Sequence, residues 1–147
     1  MLFFLPLAFY TTRYTRFVEF VTIETHTAST VMMGYIYGSL VGVVSGFCLS
    51  TWAYLGNGIA KLRAYLDIFY TIFAGYAAGY LETKGFSFPV AFSLAIIIKN
   101  SISLILNHLF FDPDKLSNLM YRVTHVFLNV FIYSLFFTAL YDIVKVF

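Results

Sequence analysis

Apolar residues dominate the chain from residue 29 onward, and polar residues break the pattern at only a few places. The breaks fall at 55–63, 82–85 and 111–122. They leave four apolar segments, each near the length of about 20 residues that a membrane-spanning helix needs. The pattern therefore predicts an all-α integral membrane protein with a four-helix membrane domain over 29–147. The predicted spans are 29–54, 64–81, 88–110 and 123–144.

Residues 1–28 do not fit a span. The first ten residues are apolar but too short to cross a bilayer, and they contain Pro6. Arg13, Arg16, Glu19 and Glu24 then interrupt the apolar pattern. Aromatic and charged residues alternate in this region, as in helices that lie along a membrane surface. We expect an N-terminal interfacial segment over 1–28, lying on the membrane or packed on a neighbouring protein.

The composition agrees with this class. Of the 147 residues, 61% are hydrophobic and 11% are charged, whereas soluble domains carry about 25% charged residues. The net charge is +2 and no basic cluster occurs, so the sequence offers no surface for nucleic acid. Lipids and other membrane subunits are the expected partners. The single cysteine, Cys48, is predicted to be a small core residue.

Glycines recur at every fourth position of the first apolar segment. Because a helix has 3.6 residues per turn, such glycines form one stripe without side chains, against which a second helix can pack closely. The stripe comprises Gly34, Gly38, Gly42 and Gly46. A second small-residue surface comprises Ala74, Gly75 and Gly79, with Ala77 and Ala78 between them. We predict that the first two spans pack together through these two surfaces.

Two charged residues stand at the start of the second predicted span. Arg63 and Asp67 are four positions apart and share one face of a helix, where they can form an ion pair. One interpretation is an anchor that sets the depth of the helix in the membrane. The other is a direct role in transport.

Lys99 and the adjacent Asn100 lie near the middle of the third predicted span. An intramembrane lysine is costly unless it is neutralised, so Lys99 needs an acid, from Asp67 or from a partner protein. Three interpretations remain open: a protein contact, a polar transport cavity, or a span boundary that lies elsewhere.

The sequence shows no pattern of enzyme chemistry. His26, His108 and His125 lack the spacing of a metal site, and His108 and His125 are interpreted as interface polar residues near the ends of spans. Asp112 and Asp114 flank a proline and indicate a solvated turn. We therefore predict no catalytic residues, no metal and no cofactor.

One stretch carries a resemblance to a known family. Ten residues separate Trp52 from Arg63, and the chain continues as Arg-x3-Asp-x6-Ala-Gly-x3-Gly, ending at Gly79. This pattern, after a glycine-striped helix, resembles the signature of the preprotein and amino acid transporter family, which includes the channel subunits of the mitochondrial inner-membrane translocases. The chain departs from it at Trp52, where the family has Phe or Tyr, at Leu49, where it has a small residue, and in the third and fourth helices.

The resemblance implies a translocase-like four-helix bundle in the mitochondrial inner membrane. Because Asp67 and Lys99 are the only charged residues within the predicted spans apart from Asp142 at the end of the fourth, we expect a non-catalytic accessory subunit of a respiratory chain complex, similar to the translocase-like subunit of complex I. A protein-conducting translocase subunit is the alternative. A third possibility sets the resemblance aside, as a small multispan component of a bacterial-type transporter or of the cell-shape machinery.

The distribution of basic residues predicts the topology. Lys61 and Arg63 lie in the first loop, whereas Glu82 and Lys84 in the next loop cancel. By the positive-inside rule, the 55–63 and 111–122 loops face the cytoplasm or matrix, and both termini lie on the opposite side.

Overall fold

The structure of the chain, a computed structural model, describes residues 1–15, 24–59, 61–110 and 115–146. These residues form helices joined by short turns, without any strand among them, so the predicted all-α fold is confirmed. The helices are α1 (Phe4–Thr15), α2 (Thr25–Tyr37), α3 (Ser39–Leu55), α4 (Leu62–Thr83), α5 (Phe88–Phe110), α6 (Lys115–Leu128) and α7 (Ser134–Val146). A π-helical turn, Asn129–Tyr133, joins α6 to α7.

Two helical segments are long and apolar enough to cross a membrane. They are Phe88–His108 and Arg122–Lys145, close to the predicted third and fourth spans. The predicted first span is not one helix, because α2 has 13 residues and α3 has 17. At 1.5 Å per residue these helices are about 20 and 26 Å long, below the roughly 30 Å of a hydrocarbon core. Among the described residues, the length and apolarity of the helices therefore support two membrane spans and do not support four.

The chain reverses at Gly38, which separates α2 from α3 with a φ of 91°. Such a positive φ is readily adopted only by glycine. Beyond the turn the two helices run antiparallel, since Gly34 lies against Gly42 and Thr30 lies against Gly46. The four-glycine stripe therefore does not form one helix face, and Gly38 is the turn of a helical hairpin rather than a packing residue.

The hairpin packs against α4 with backbone against backbone. A Cβ atom added to Gly75 would lie 2.5 Å from the carbonyl oxygen of Gly42, which leaves no space for a side chain. Gly79 lies against Ser39 and Gly34 in the same way, and Gly46 lies against Ile72. The predicted contact between the two small-residue surfaces is confirmed for Gly34, Gly42, Gly75 and Gly79, whereas Gly46 lies against α4 at Ile72, outside the second surface. Ala74 and Ala78 of α4 are fully buried beside this contact.

Aromatic rings fill the space between α5 and α7. Phe88 stacks on Tyr141 with the ring centroids 4.8 Å apart, and Phe92 stacks on Phe137 at 5.9 Å. Phe4 of α1 stacks on the far side of Phe137. The antiparallel α5 and α7 are therefore held together by ring stacking, in contrast to the glycine contacts between the hairpin and α4.

The N-terminal region differs from the predicted surface segment. Helix α1 packs against α2 and α3 of the same chain, with Ala8 fully buried. The side-chain amide of Asn57 donates a hydrogen bond to the carbonyl oxygen of Phe9 at 3.0 Å. Residues 25–28, assigned to the segment from the sequence, belong to α2. The predictions that concern Arg16 and Glu19, and the turn at 112–114, lie outside the described residues.

Replacing Gly75 with leucine tests the contact between the hairpin and α4. We expect Gly75→Leu to lower the free energy of unfolding in detergent by about 1–3 kcal/mol or more, because the new side chain would overlap the backbone of α3. Thermal unfolding followed by circular dichroism measures the change. Tyr76→Leu, at a half-exposed position on the same turn, is the control and should stay within about 0.5 kcal/mol of the native chain. Equal stability of the two variants would contradict the packing.

Candidate functional site

The ammonium group of Lys99 lies at the centre of a buried group of polar side chains. The side chain is fully buried, and Nζ contacts oxygens of three residues from two other helical regions, Asp67 among them with a hydrogen bond to Oδ2 at 3.4 Å. It donates to Glu24 Oε2 at 2.9 Å and to Thr27 Oγ1 at 2.7 Å. The Oδ1 atom of Asp67 lies 3.2 Å away. An ammonium group has three donors, and these contacts satisfy all of them.

The acid predicted for Lys99 is therefore present in the same chain. Asp67 fulfils the prediction made from the sequence, and Glu24 adds a second carboxylate that the sequence did not indicate. Glu24 stands immediately before α2, and Asp67 lies in the second turn of α4. Because α2 and α4 both pack against α5, the two acids approach Lys99 from two sides.

Asp67 makes further contacts within the bundle. Its Oδ2 atom accepts a hydrogen bond from the Tyr54 hydroxyl at 2.7 Å and lies 3.5 Å from His26 Nε2. The ion pairs that Asp67 forms among the described residues are thus with Lys99 and His26, and the predicted pair with Arg63 is wrong. Arg63 is exposed at the start of α4, whereas Asp67 points into the bundle.

His125 of α6 extends the group to a further helix. Its Nε2 atom lies 3.0 Å from Glu24 Oε2. The other ring nitrogen, Nδ1, lies 3.1 Å from Asn100 Oδ1. Asn129, the first residue of the π-helical turn, donates to the His125 carbonyl oxygen at 2.8 Å.

These residues form one site, which we call the charge cluster. It comprises Glu24, His26, Thr27, Tyr54, Asp67, Lys99, Asn100 and His125. Residues of α2, α3, α4, α5 and α6 contribute to it, together with Glu24 directly before α2. Burying separate charges in a protein interior costs several kcal/mol each, and mutual pairing offsets this cost. The cluster therefore joins five helices through interactions that depend on one another.

Three members of the cluster have the donor atoms of a metal site. Ligand atoms of Glu24, His26 and Asp67 lie within 4.8 Å of one another. The ammonium group of Lys99 contacts both carboxylates and so already supplies the positive charge between them. A divalent ion would have to displace it against charge repulsion, and the arrangement is better explained as an ion-pair network.

The sequence analysis predicted only part of this site. Two of the three histidines, His26 and His125, are buried in the cluster, whereas His108 is exposed. The interpretation of His125 as an interface residue is therefore wrong. A polar residue inside an apolar segment was the only signal that pointed to a buried site, and it identified Lys99 and Asn100.

No known protein family, characterised protein or solved structure matches this chain. The resemblance to the translocase family therefore remains a prediction from the motif alone. What the site can do has to be argued from its own geometry.

Removing the central charge tests how far the bundle depends on the cluster. We expect Lys99→Met to destabilise the folded chain by about 3–5 kcal/mol, because Glu24 and Asp67 lose the charge that both contact. Thermal unfolding in detergent measures the loss.

Lys61→Met, at an exposed position before α4, is the control and should have little effect. Adding Asp67→Asn to Lys99→Met removes one of the unneutralised acids and should restore part of the lost stability. If Lys99→Met were as stable as Lys61→Met, the cluster would not hold the bundle together.

Proposed function

We propose that this chain is a multi-pass membrane protein that acts as a non-catalytic scaffold subunit of a larger membrane assembly. The proposal takes α4 as a span in addition to the two candidate spans in α5 and α6–α7. The observation that carries it is an aromatic stripe on the outer face of α4.

The stripe follows one face of α4 over most of its length. Its members are Tyr65, Phe69, Phe73, Tyr76 and Tyr80, each between 42% and 51% exposed. Spacings of three and four residues place them in one row. Tyrosine stands at both ends and phenylalanine in the middle, about 22 Å from end to end. This order matches the preference of tyrosine for the two membrane interfaces and of phenylalanine for the hydrocarbon region.

The opposite faces of α4 carry the glycines and Asp67, which contact other helices. Between the two ends of α4, the one charged side chain thus lies inside the bundle and the large aromatic side chains of the stripe lie outside, the reverse of a helix in a soluble protein. The outer face of the segment from α6 to α7 supports the same interpretation through Phe127, Phe131 and Leu135, all more than half exposed. Such a continuous apolar exterior needs lipid or protein partners.

Within the scaffold class, the motif resemblance suggests the inner membrane of mitochondria and a respiratory chain complex similar to complex I. The charge cluster is consistent with a scaffold, since its charged groups neutralise one another and brace five helices. A subunit of the inner-membrane protein translocase is the alternative that the same resemblance allows.

A second candidate function is a small bacterial-type component of a transporter or of the cell-shape machinery. The observation that favours it is that the charge cluster borders an open groove between α5 and α6, lined by Asn100, Arg122 and apolar residues. Polar and charged groups inside membrane helices commonly mark the pathways of ions and substrates.

Cysteine accessibility tests whether α4 crosses the membrane. Lys61 and Lys84 flank α4 and are both exposed, so each can be replaced by cysteine in a Cys48→Ser background. In sealed vesicles, we expect a membrane-impermeant thiol reagent to label Lys84→Cys, and to label Lys61→Cys only after permeabilisation. Labelling of both positions from the same side, before permeabilisation, would contradict a spanning α4.

Purification in a mild detergent tests the scaffold role. We expect the tagged chain to migrate on native gels with a complex several times its own mass, and Gly75→Leu to lose that association because its helices no longer pack. Lys61→Met, at an exposed position outside the aromatic stripe, serves as the control variant that keeps the fold and the association.

The identity of the complex separates the candidate functions. A respiratory complex supports the accessory subunit, and arrested import substrates support the translocase. An ATPase module or cell-wall proteins support the bacterial-type component. A native chain that migrates alone would contradict the scaffold role.

A further inference from the structure

We propose that a cavity at one end of the bundle binds the headgroup of a zwitterionic phospholipid, with the phosphate on Lys145 and the ammonium group on Glu82. This cavity, which we call the headgroup cavity, is separate from the charge cluster. The proposal rests on the membrane location proposed for the chain, but not on the scaffold role or on the identity of any assembly.

The headgroup cavity lies where three helices end. Its lining comes from the last turn of α2 (Tyr35 and Ile36), the last turn of α4 (Glu82) and the last two turns of α7 (Tyr141, Val144 and Lys145). Its volume is about 200 Å³, below the roughly 300–1,000 Å³ of cavities that enclose a drug-sized ligand. The cavity therefore suits a small group, such as the headgroup of a larger molecule that lies mostly outside it.

Two residues of the cavity carry opposite charges. Glu82 and Lys145 are both exposed, and both line the cavity. Within the parts of the chain that the structure describes, neither side chain forms an ion pair or a hydrogen bond, with the other or with any further residue. A carboxylate and an ammonium group held apart in one cavity complement a ligand that carries both a cation and an anion.

Tyr141 adds an aromatic surface for the cation. Phe88 stacks on one face of the Tyr141 ring, with 4.8 Å between the centroids. The Tyr35 ring stands across both rings, 5.1 Å from Phe88 and 5.5 Å from Tyr141. These similar distances put Tyr35 beside the stack, so neither ring covers the outer face of Tyr141. An aromatic face attracts an ammonium group, and Glu82 in the same cavity can accept its hydrogen bonds.

The surroundings of the cavity favour a lipid over a free small molecule. Ile36 and Val144 form apolar walls of the cavity itself. On α7, Phe136 and Ile143 lie two turns apart on one face and are both more than half exposed, which gives acyl chains an apolar surface to follow. In the proposed membrane arrangement, Tyr80 at the end of the aromatic stripe marks the interface at this end of α4.

The charged groups of the cavity discriminate between headgroups. Phosphatidylethanolamine carries a phosphate for Lys145 and a primary ammonium group that can donate to Glu82 and lie on the Tyr141 ring. Phosphatidylglycerol offers the phosphate without a cation, and its negative charge is repelled by Glu82. The cavity should therefore prefer phosphatidylethanolamine.

Native mass spectrometry of the delipidated full chain in detergent tests the proposal, because it resolves each bound lipid by its mass. We expect the first phosphatidylethanolamine to bind about threefold to fivefold more tightly than the first phosphatidylglycerol, the effect of one half-exposed ion pair. Glu82→Gln should abolish this preference. Lys145→Gln should weaken the binding of both lipids, because both place a phosphate there.

Two positions outside the cavity provide matched controls. Asp142→Asn removes an exposed acid beside Tyr141, and Lys84→Gln removes an exposed lysine directly after α4. Each should change the binding of either lipid by less than about twofold, as surface substitutions outside a site do. Equal binding of the two lipids by the native chain would overturn the proposal, and so would equal effects of Glu82→Gln and Asp142→Asn.

Glycerophosphoethanolamine, the same headgroup without acyl chains, separates a lipid site from a site for a free phosphodiester. We expect it to bind more than about tenfold more weakly than the lipid, because the apolar contacts of the chains are missing. Equal or tighter binding of the free headgroup would overturn the assignment to a lipid. The measurement uses the isolated chain, so a chain that migrates alone on native gels would contradict the scaffold role and leave this site unaffected.

Discussion

The ion pairs of one lysine determine how this bundle is built. Lys99 lies at the midpoint of α5, far from either end of the helix, and its ammonium group is fully buried. A charge in such a place is tolerated only with opposite charges in contact. Glu24 and Asp67 provide them, and because they belong to different parts of the chain, folding has to bring α2, α4 and α5 to one point.

Glycine contacts set the distances that make these ion pairs possible. Gly79 contacts Ser39, and Gly75 contacts Gly42. The two helices are thus antiparallel, and positions closer to the start of α4 lie against positions closer to the end of α3. Continued toward the other end of α4, the same register places Asp67 within about one turn of Tyr54, whose long side chain reaches the carboxylate and donates the 2.7 Å hydrogen bond. A side chain at Gly75 would separate the helices and would move the Asp67 carboxylate away from Lys99. The geometry of the polar site therefore depends on the glycine packing between the helices.

Local patterns revealed the parts of the fold that depend on nearby residues. The repeat of glycines indicated close helix packing, and the apolar run at 88–110 predicted α5 almost to its ends. The same repeat concealed the turn at Gly38, because a glycine can either pack in a helix or end one, and four-residue spacing does not distinguish the two. The charge cluster was even less visible: Glu24 and His125 are 101 positions apart along the chain. Only the isolated polarity of Lys99 and the acid at Asp67 gave a signal.

The two halves of the bundle are held by different forces, and this difference gives the cluster its significance. Between the hairpin and α4, backbones are in direct contact, and neither pH nor a ligand changes such a contact. The α6 segment is joined to the start of α2 through the ring of His125. Such polar contacts suit a scaffold, because the loss of one buried partner would leave the others unneutralised and would loosen several helices at once. The glycine-packed half therefore depends on shape alone, whereas the position of α6 depends on polar contacts that the members of the charge cluster satisfy together.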